Sequence, residues 1–97
     1  MAAIDDVFAG TSSSIAASGA VDIKPDSGQE VTLQYIAHEF PIEVYFYNGT
    51  TLVKFDSGDV SIIRGEGIPL TSGEYIRVKN THTAAQYISW RGRYTKV

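Results

Sequence analysis

Asn48-Gly49 sits between two β-prone runs, residues 42–47 and 50–55. Asn-Gly is the strongest short hairpin signal, because both central residues of the tight turn need φ > 0. A two-residue loop predicts the whole pairing. Tyr47 faces Thr50, Phe46 faces Thr51, Tyr45 faces Leu52, Val44 faces Val53, Glu43 faces Lys54 and Ile42 faces Phe55. One face then carries Ile42, Val44, Phe46, Val53 and Phe55. The other sets Glu43 against Lys54, a favourable cross-strand pair. A one-residue slip would spoil both faces, so the segment is committed to antiparallel sheet with one dry side.

The same period of two recurs along the chain. Val21 and Ile23 alternate with Asp22 and Lys24, and Pro25-Asp26-Ser27-Gly28 reads as a turn. Val31, Leu33 and Tyr35 form the next alternating face, which breaks at His38-Glu39-Phe40-Pro41. Asp56-Ser57-Gly58-Asp59 is expected as a turn, residues 60–63 as a short strand and residues 64–73 as a loop. Residues 74–79 read as a strand with Ile76 and Val78 on one side and Tyr75, Arg77 and Lys79 on the other. Residues 84–91 place Ile88 and Trp90 against Tyr87, Ser89 and Arg91, and residues 93–97 extend the edge beyond Gly92. These last two strands are expected side by side in one sheet. No segment has the period of an amphipathic helix. About seven or eight short strands with frequent turns predict an all-β fold, an antiparallel β-sandwich or small β-barrel.

Residues 1–19 differ in kind. Ala, Ser, Gly and Thr dominate, and such residues do not offset the entropy of ordering. The expected organisation is a flexible N-terminal arm over residues 1–19 and a single β domain over residues 20–97. Ile4, Val7, Phe8 and Ile15 are the arm's apolar residues, able to pin it to its own body or to a neighbour. At 97 residues the chain has material for one core, burying roughly 60–65 % of its unfolded surface. It has no cysteine, which removes disulfides and thiolate chemistry. The N-terminus carries Asp5 and Asp6 where a signal peptide needs bases, and no stretch reaches the ~20 apolar residues of a membrane span. Cytosolic synthesis and folding, without membrane association, is the expectation.

Charge is divided along the chain. Residues 77–97 hold five bases and no acid, whereas residues 1–76 hold eleven acids and three bases. Arg77, Lys79, Arg91 and Arg93 interleave with Tyr75 and Tyr87, a combination able to bind single-stranded nucleic acid. The overall charge of −3 opposes a polyanion, so nucleic acid is not an expected partner. A basic edge meeting acidic protein surface fits better, beside the plain reading of a solvated face. Tyr45 and Tyr47 lie opposite the apolar stripe of the hairpin. Subunit or arm packing, ordinary sheet surface and stacking on sugar rings are the three readings for them.

Chemistry is sparsely provided for. His38 and His82 are the available bases, and neither stands in a recognisable nucleophile setting. Gly65-Glu66-Gly67 lacks the third glycine and the helix of a dinucleotide loop. Asp56 and Asp59 supply too few oxygens for calcium. No catalytic, cofactor or metal site is expected.

Phe8-Ala-Gly-Thr-Ser-Ser, Val21-Asp-Ile-Lys-Pro25, Phe55-Asp-Ser-Gly58, Pro69-Leu-Thr-Ser72, Tyr75-Ile-Arg-Val-Lys-Asn-Thr81 and Gln86-Tyr-Ile-Ser-Trp-Arg-Gly92 together resemble the small virion structural proteins of tailed bacteriophages and related viruses. The resemblance implies a non-enzymatic β-sandwich or barrel subunit, made in the host cytoplasm and carried in the virion. It implies a head decoration or accessory role, with the major capsid protein or other virion proteins as partners and a homo-oligomer, a trimer, as the assembly. A tail- or fibre-associated module that touches host glycans through Tyr45 and Tyr47 is the alternative. The residues expected at contacts are Ile4, Val7, Phe8, Tyr45, Tyr47, Tyr75, Arg77, Lys79, Tyr87, Arg91 and Arg93.

Overall fold

The structure is a computed structural model that describes residues 3–12, 14–58 and 61–97, with the backbone alone for 55–56 and 61–66. Its elements are β1 (Val7–Thr11), β2 (Ala20–Ile23), β3 (Glu30–His38), β4 (Ile42–Tyr47), β5 (Leu52–Gly58), β6 (Ser61–Thr71), β7 (Tyr75–Asn80) and β8 (Ile88–Lys96). Two four-stranded antiparallel sheets form a sandwich, in the orders β1-β8-β3-β6 and β2-β7-β4-β5. The fold is all-β, as the patterning predicts. Ile23, Val44, Ile76 and Val78 line the inner face of one sheet, and Val31, Leu33, Ile36, Leu70 and Ile88 that of the other.

The β4–β5 hairpin keeps its predicted faces only beside the turn, does not keep its predicted register, and leaves Val53 of the expected dry side 53 % exposed. Tyr47 pairs with Leu52, Phe46 with Val53 and Tyr45 with Lys54. The loop therefore has four residues. Asn48 Oδ1 accepts hydrogen bonds from Thr50 N (3.0 Å) and Thr51 N (2.9 Å), and Gly49 takes φ 95°. Asn48 N donates to the Thr51 carbonyl at 3.2 Å, so the backbone closes the turn one residue later than predicted, around Gly49-Thr50, and the asparagine side chain takes the two remaining amides. The pairing moves by two residues, so the period of two is preserved and Val53 still shares a face with Phe46. Beyond Lys54 the register shifts, with Val44 opposite Asp56. Phe55 is the extra residue of a β-bulge. Asp56, Ser57 and Gly58 continue β5 rather than turning; Asp59 and Val60 lie outside the described residues.

Bulges correct two further expectations. In β3 the register shifts between Leu33 and Tyr35. The buried face accordingly runs Val31, Leu33, Ile36, His38, and Tyr35 turns outward. The expected loop over residues 64–73 is mostly strand: β6 runs Ser61–Thr71 along β3. Gly67 adopts φ 91° within it. Pro69 is tolerated because β6 is an edge strand, where the missing N–H costs no ladder bond.

The N-terminal segment placed outside the domain by its composition contributes β1, paired with β8 from Val7↔Arg93 to Thr11↔Ser89. Ile15 is buried and bridges to Gln86, with backbone hydrogen bonds of 2.8 and 3.0 Å. Phe8 faces inward and packs edge-to-face on Tyr94, centroids 5.6 Å apart.

The largest correction concerns the last two strands. β7 lies between β2 and β4, whereas β8 lies between β1 and β3 in the opposite sheet. β8 is an interior strand, not an extended edge. Gly92 makes this possible: a Cβ there would run into the Thr32 carbonyl oxygen and come within 3.0 Å of Leu33 Cα.

Candidate functional site

Apart from Phe8, which faces inward and packs against the core rather than at a contact, the residues expected at contacts are distributed over both outward faces of the sandwich. On the β2-β7-β4-β5 sheet, cross-strand rows can be read from the register. Tyr75 is opposite Tyr47, which is opposite Leu52; Asp22, Arg77, Tyr45 and Lys54 form the next row; Ala20, Lys79 and Glu43 form the third. These side chains largely satisfy one another. Arg77 Nε and Nη2 donate to the two Asp22 carboxylate oxygens at 2.6 and 3.1 Å. The carboxylate raises the Arg77 pKa above its ordinary value. Tyr45 Oη donates to Glu43 Oε1 at 2.7 Å and Lys54 Nζ to Glu43 Oε2 at 3.3 Å. Those two hydrogen bonds, the tyrosine's first, hold the Glu43 carboxyl below the usual range. The same bond raises the Tyr45 phenol.

The aromatic row on this face is covered, too. Tyr75 is only 9 % exposed. The Tyr47 ring lies 5.1 Å from it and Lys24 Nζ sits 4.7 Å over its centroid. Tyr47 Oη donates to the Gly49 carbonyl at 3.0 Å. Asp22 and Lys24 were not expected among the functional residues. Their signal, outward position on a strand of period two, is visible only once β2 is known to pair with β7.

The opposite face, on β1-β8-β3-β6, is different. Val7, Ala9 and Thr11 of β1 neighbour Arg93, Arg91 and Ser89 of β8, which neighbour Thr32, Tyr35 and Ala37 of β3. Arg91 and Arg93 are exposed and make no ion pair with a described residue. Small side chains floor a depression beside them, lined by Ala9, Thr11, Ala37, Ser89, Tyr35 and Arg91. Val7 is 60 % exposed on this face, and Ile4 is 61 % exposed in the turn before it. The structure thus separates Arg77 and Lys79 from Arg91 and Arg93, which the sequence reading had placed on one face.

Next to the depression the sheet ends in a second one, where Tyr87, 64 % exposed, stands with His38, Glu39, Phe40 and Gln86. His38 is buried. Its Nδ1 bonds to the Phe40 carbonyl at 2.8 Å, which makes Nδ1 the protonated nitrogen, and Nε2 has no partner among the described residues. His82 stacks flat on Phe40, centroids 4.3 Å apart. Behind them is a polar hub that sequence reasoning missed. Asn80, fully buried, donates through Nδ2 to the carbonyls of Ile15 (2.9 Å) and Ala84 (3.0 Å) and accepts through Oδ1 from His82 N and Gln86 Nε2. Gln86 also donates to the Pro41 carbonyl and accepts from Phe40 N. Among the described residues, no group of three or more His, Asp or Glu side chains is placed to hold a metal ion.

No family model matches the chain, and no curated protein is significantly similar to it in sequence.

Proposed function

We propose that this chain is a non-enzymatic virion structural subunit, most closely a capsid decoration protein that binds stoichiometrically to the shell. The virion setting rests on the resemblance carried by the strand segments 21–25, 75–81 and 86–92. Binding as the mode of action rests on one observation: Arg91 and Arg93 project side by side from an interior strand without an acidic partner among the described residues. Two neighbouring arginines on a rigid sheet suit an acidic protein surface. Homo-oligomerisation, as a trimer, belongs to the same reading.

Co-sedimentation with purified shells tests it. The protein is expected to saturate at a fixed copy number, and Arg91→Glu/Arg93→Glu to lose most of that binding while melting like the parent. A monomer indifferent to shells at high concentration defeats the proposal. The alternative, a glycan-contacting fibre module, has less support, since Tyr45 and Tyr47 both have their hydroxyls engaged within the chain.

A further inference from the structure

Four strands form the edges of the two sheets: β1, β6, β2 and β5. An edge strand presents unpaired N–H and C=O groups, and natural proteins blunt such edges with charges, prolines, bulges or short length. Three of these edges are blunted. β6 carries Pro69 and an irregular register, β5 carries Lys54 and the bulge at Phe55, and β2 is four residues long and runs into Lys24-Pro25. β1, Val7-Phe-Ala-Gly-Thr11, has no charge, no proline and an unbroken register against β8.

The direction of its free groups follows from the ladder. Tyr94 N donates to the Asp6 carbonyl and Ser12 N to the Ile88 carbonyl. The even-numbered residues of β1 therefore bond to β8, and the N–H and C=O of Val7, Ala9 and Thr11 point away from the sheet. The same three residues are exposed on the outer face. Arg91 stands directly behind Ala9, and Arg93 behind Val7. A strand added beyond β1 would lie roughly 10 Å from them, two strand spacings. Arginine and glutamate side chains together span that distance over the small Ala9.

We propose that the β1 edge is a peptide-binding site, which takes an extended segment with acidic side chains at alternate positions as the fifth strand of its sheet. Backbone bonds to Val7, Ala9 and Thr11 hold the segment, and its two carboxylates meet Arg91 and Arg93. Charge selects this occupant over a second copy of the chain. A paired β1 from another copy would present Val, Ala and Thr on that face and leave the arginines unmatched. The inference deepens the binding-subunit reading by naming the partner's chemistry, and rests on it.

The test uses the whole protein and capped pentapeptides of valine alternating with glutamate, glutamine or lysine. The glutamate peptide is expected to bind roughly five- to tenfold tighter than the glutamine peptide, as two exposed ion pairs allow, and to shift the amide resonances of Val7, Ala9 and Thr11. Ala9→Pro removes an outward N–H and no bond to β8, so it should abolish binding. Arg91→Glu/Arg93→Glu leaves β1 intact and should transfer the preference to the lysine peptide. Equal binding of the three peptides, undiminished binding by Ala9→Pro, or a β1-mediated dimer in place of peptide binding overturns the site. Shell co-sedimentation is scored separately. Peptide binding without shell binding supports the β1 site and removes the virion reading; shell binding without peptide binding does the reverse.

Discussion

Gln86 Nε2 donates to Asn80 Oδ1 at 2.7 Å, and this buried amide pair spans the crossing from one sheet to the other. Asn80 ends β7 and Gln86 precedes β8. Between them the chain leaves one layer of the sandwich and enters the second. The remaining valences of the two amides gather the carbonyls of Ile15, Ala84 and Pro41. The crossover, the N-terminal segment and the β3–β4 connection thus close on one polar point.

Removing that point should be costly. Asn80→Ala strands several buried partners at once, each worth about 1–3 kcal/mol. A total loss of about 3 kcal/mol or more is expected, read as a fall in urea midpoint or as a Tm lower by roughly 12 °C or more. Gln86→Ala should cost less, since the Asn80 bonds to Ile15 and Ala84 survive it.

Two glycines in the β1–β8 pair should respond differently to alanine. At Gly10 a Cβ would lie 2.6 Å from Trp90 Cζ2, and a side chain can shift. At Gly92 the obstacle is the Thr32 carbonyl, part of a strand bonded on both sides. Gly10→Ala is expected to cost about 1–3 kcal/mol, and Gly92→Ala to leave little folded protein at room temperature. Denaturation curves of equal depth for the two would refute this ordering.

The Tyr45–Glu43 hydrogen bond predicts a pH window. Glu43 is lowered by the Tyr45 hydroxyl first and by Lys54 second. A lowered carboxyl adds stability that is present above its unfolded value and lost as pH falls through the folded one. Tyr45 is raised by Glu43, so its contribution is present below its unfolded value and lost as pH rises through the folded one. The difference in urea midpoint between the parent and Tyr45→Phe should therefore be widest between the two titrations and shrink at both ends.

Reversing Arg77 should not mimic reversing Arg91. Arg77→Glu sets a second acid against Asp22 and breaks a bidentate pair, so it should lower stability by about 1 kcal/mol. Arg91→Glu breaks no described ion pair and should leave the melting curve unchanged. Paired thermal melts of the two variants decide the matter.

Legibility in the sequence followed the range of the interaction. The alternation in β2, β4 and β7 was readable, and so was a tight turn near Gly49, which closes one residue later than Asn48-Gly49 predicts. Next to the turn the hairpin's faces survived a wrong register because the error there was two residues, a full side-chain period; beyond the bulge the error is three, and Val44 stands opposite Asp56 instead of Val53. Bulges at Phe55 and within β3 were not readable, since a bulge is a relation between two strands and leaves no mark on one. Tyr35 was assigned inward for that reason. The Asn80–Gln86 hub was hidden because polar residues announce burial only through partners far along the chain.

What the sequence alone determined was the all-β class, the inward set in most strands and the concentration of bases after residue 76. Each follows from local chemistry: side-chain period, turn residues and charge. The tertiary structure decided which strands are neighbours. It put β7 and β8 in different sheets, matched Arg77 to Asp22, and left Arg91 and Arg93 beside an unblunted edge. Backbone hydrogen bonding accepts any strand as a partner, so packing of the two inner faces over the whole chain has to choose among them.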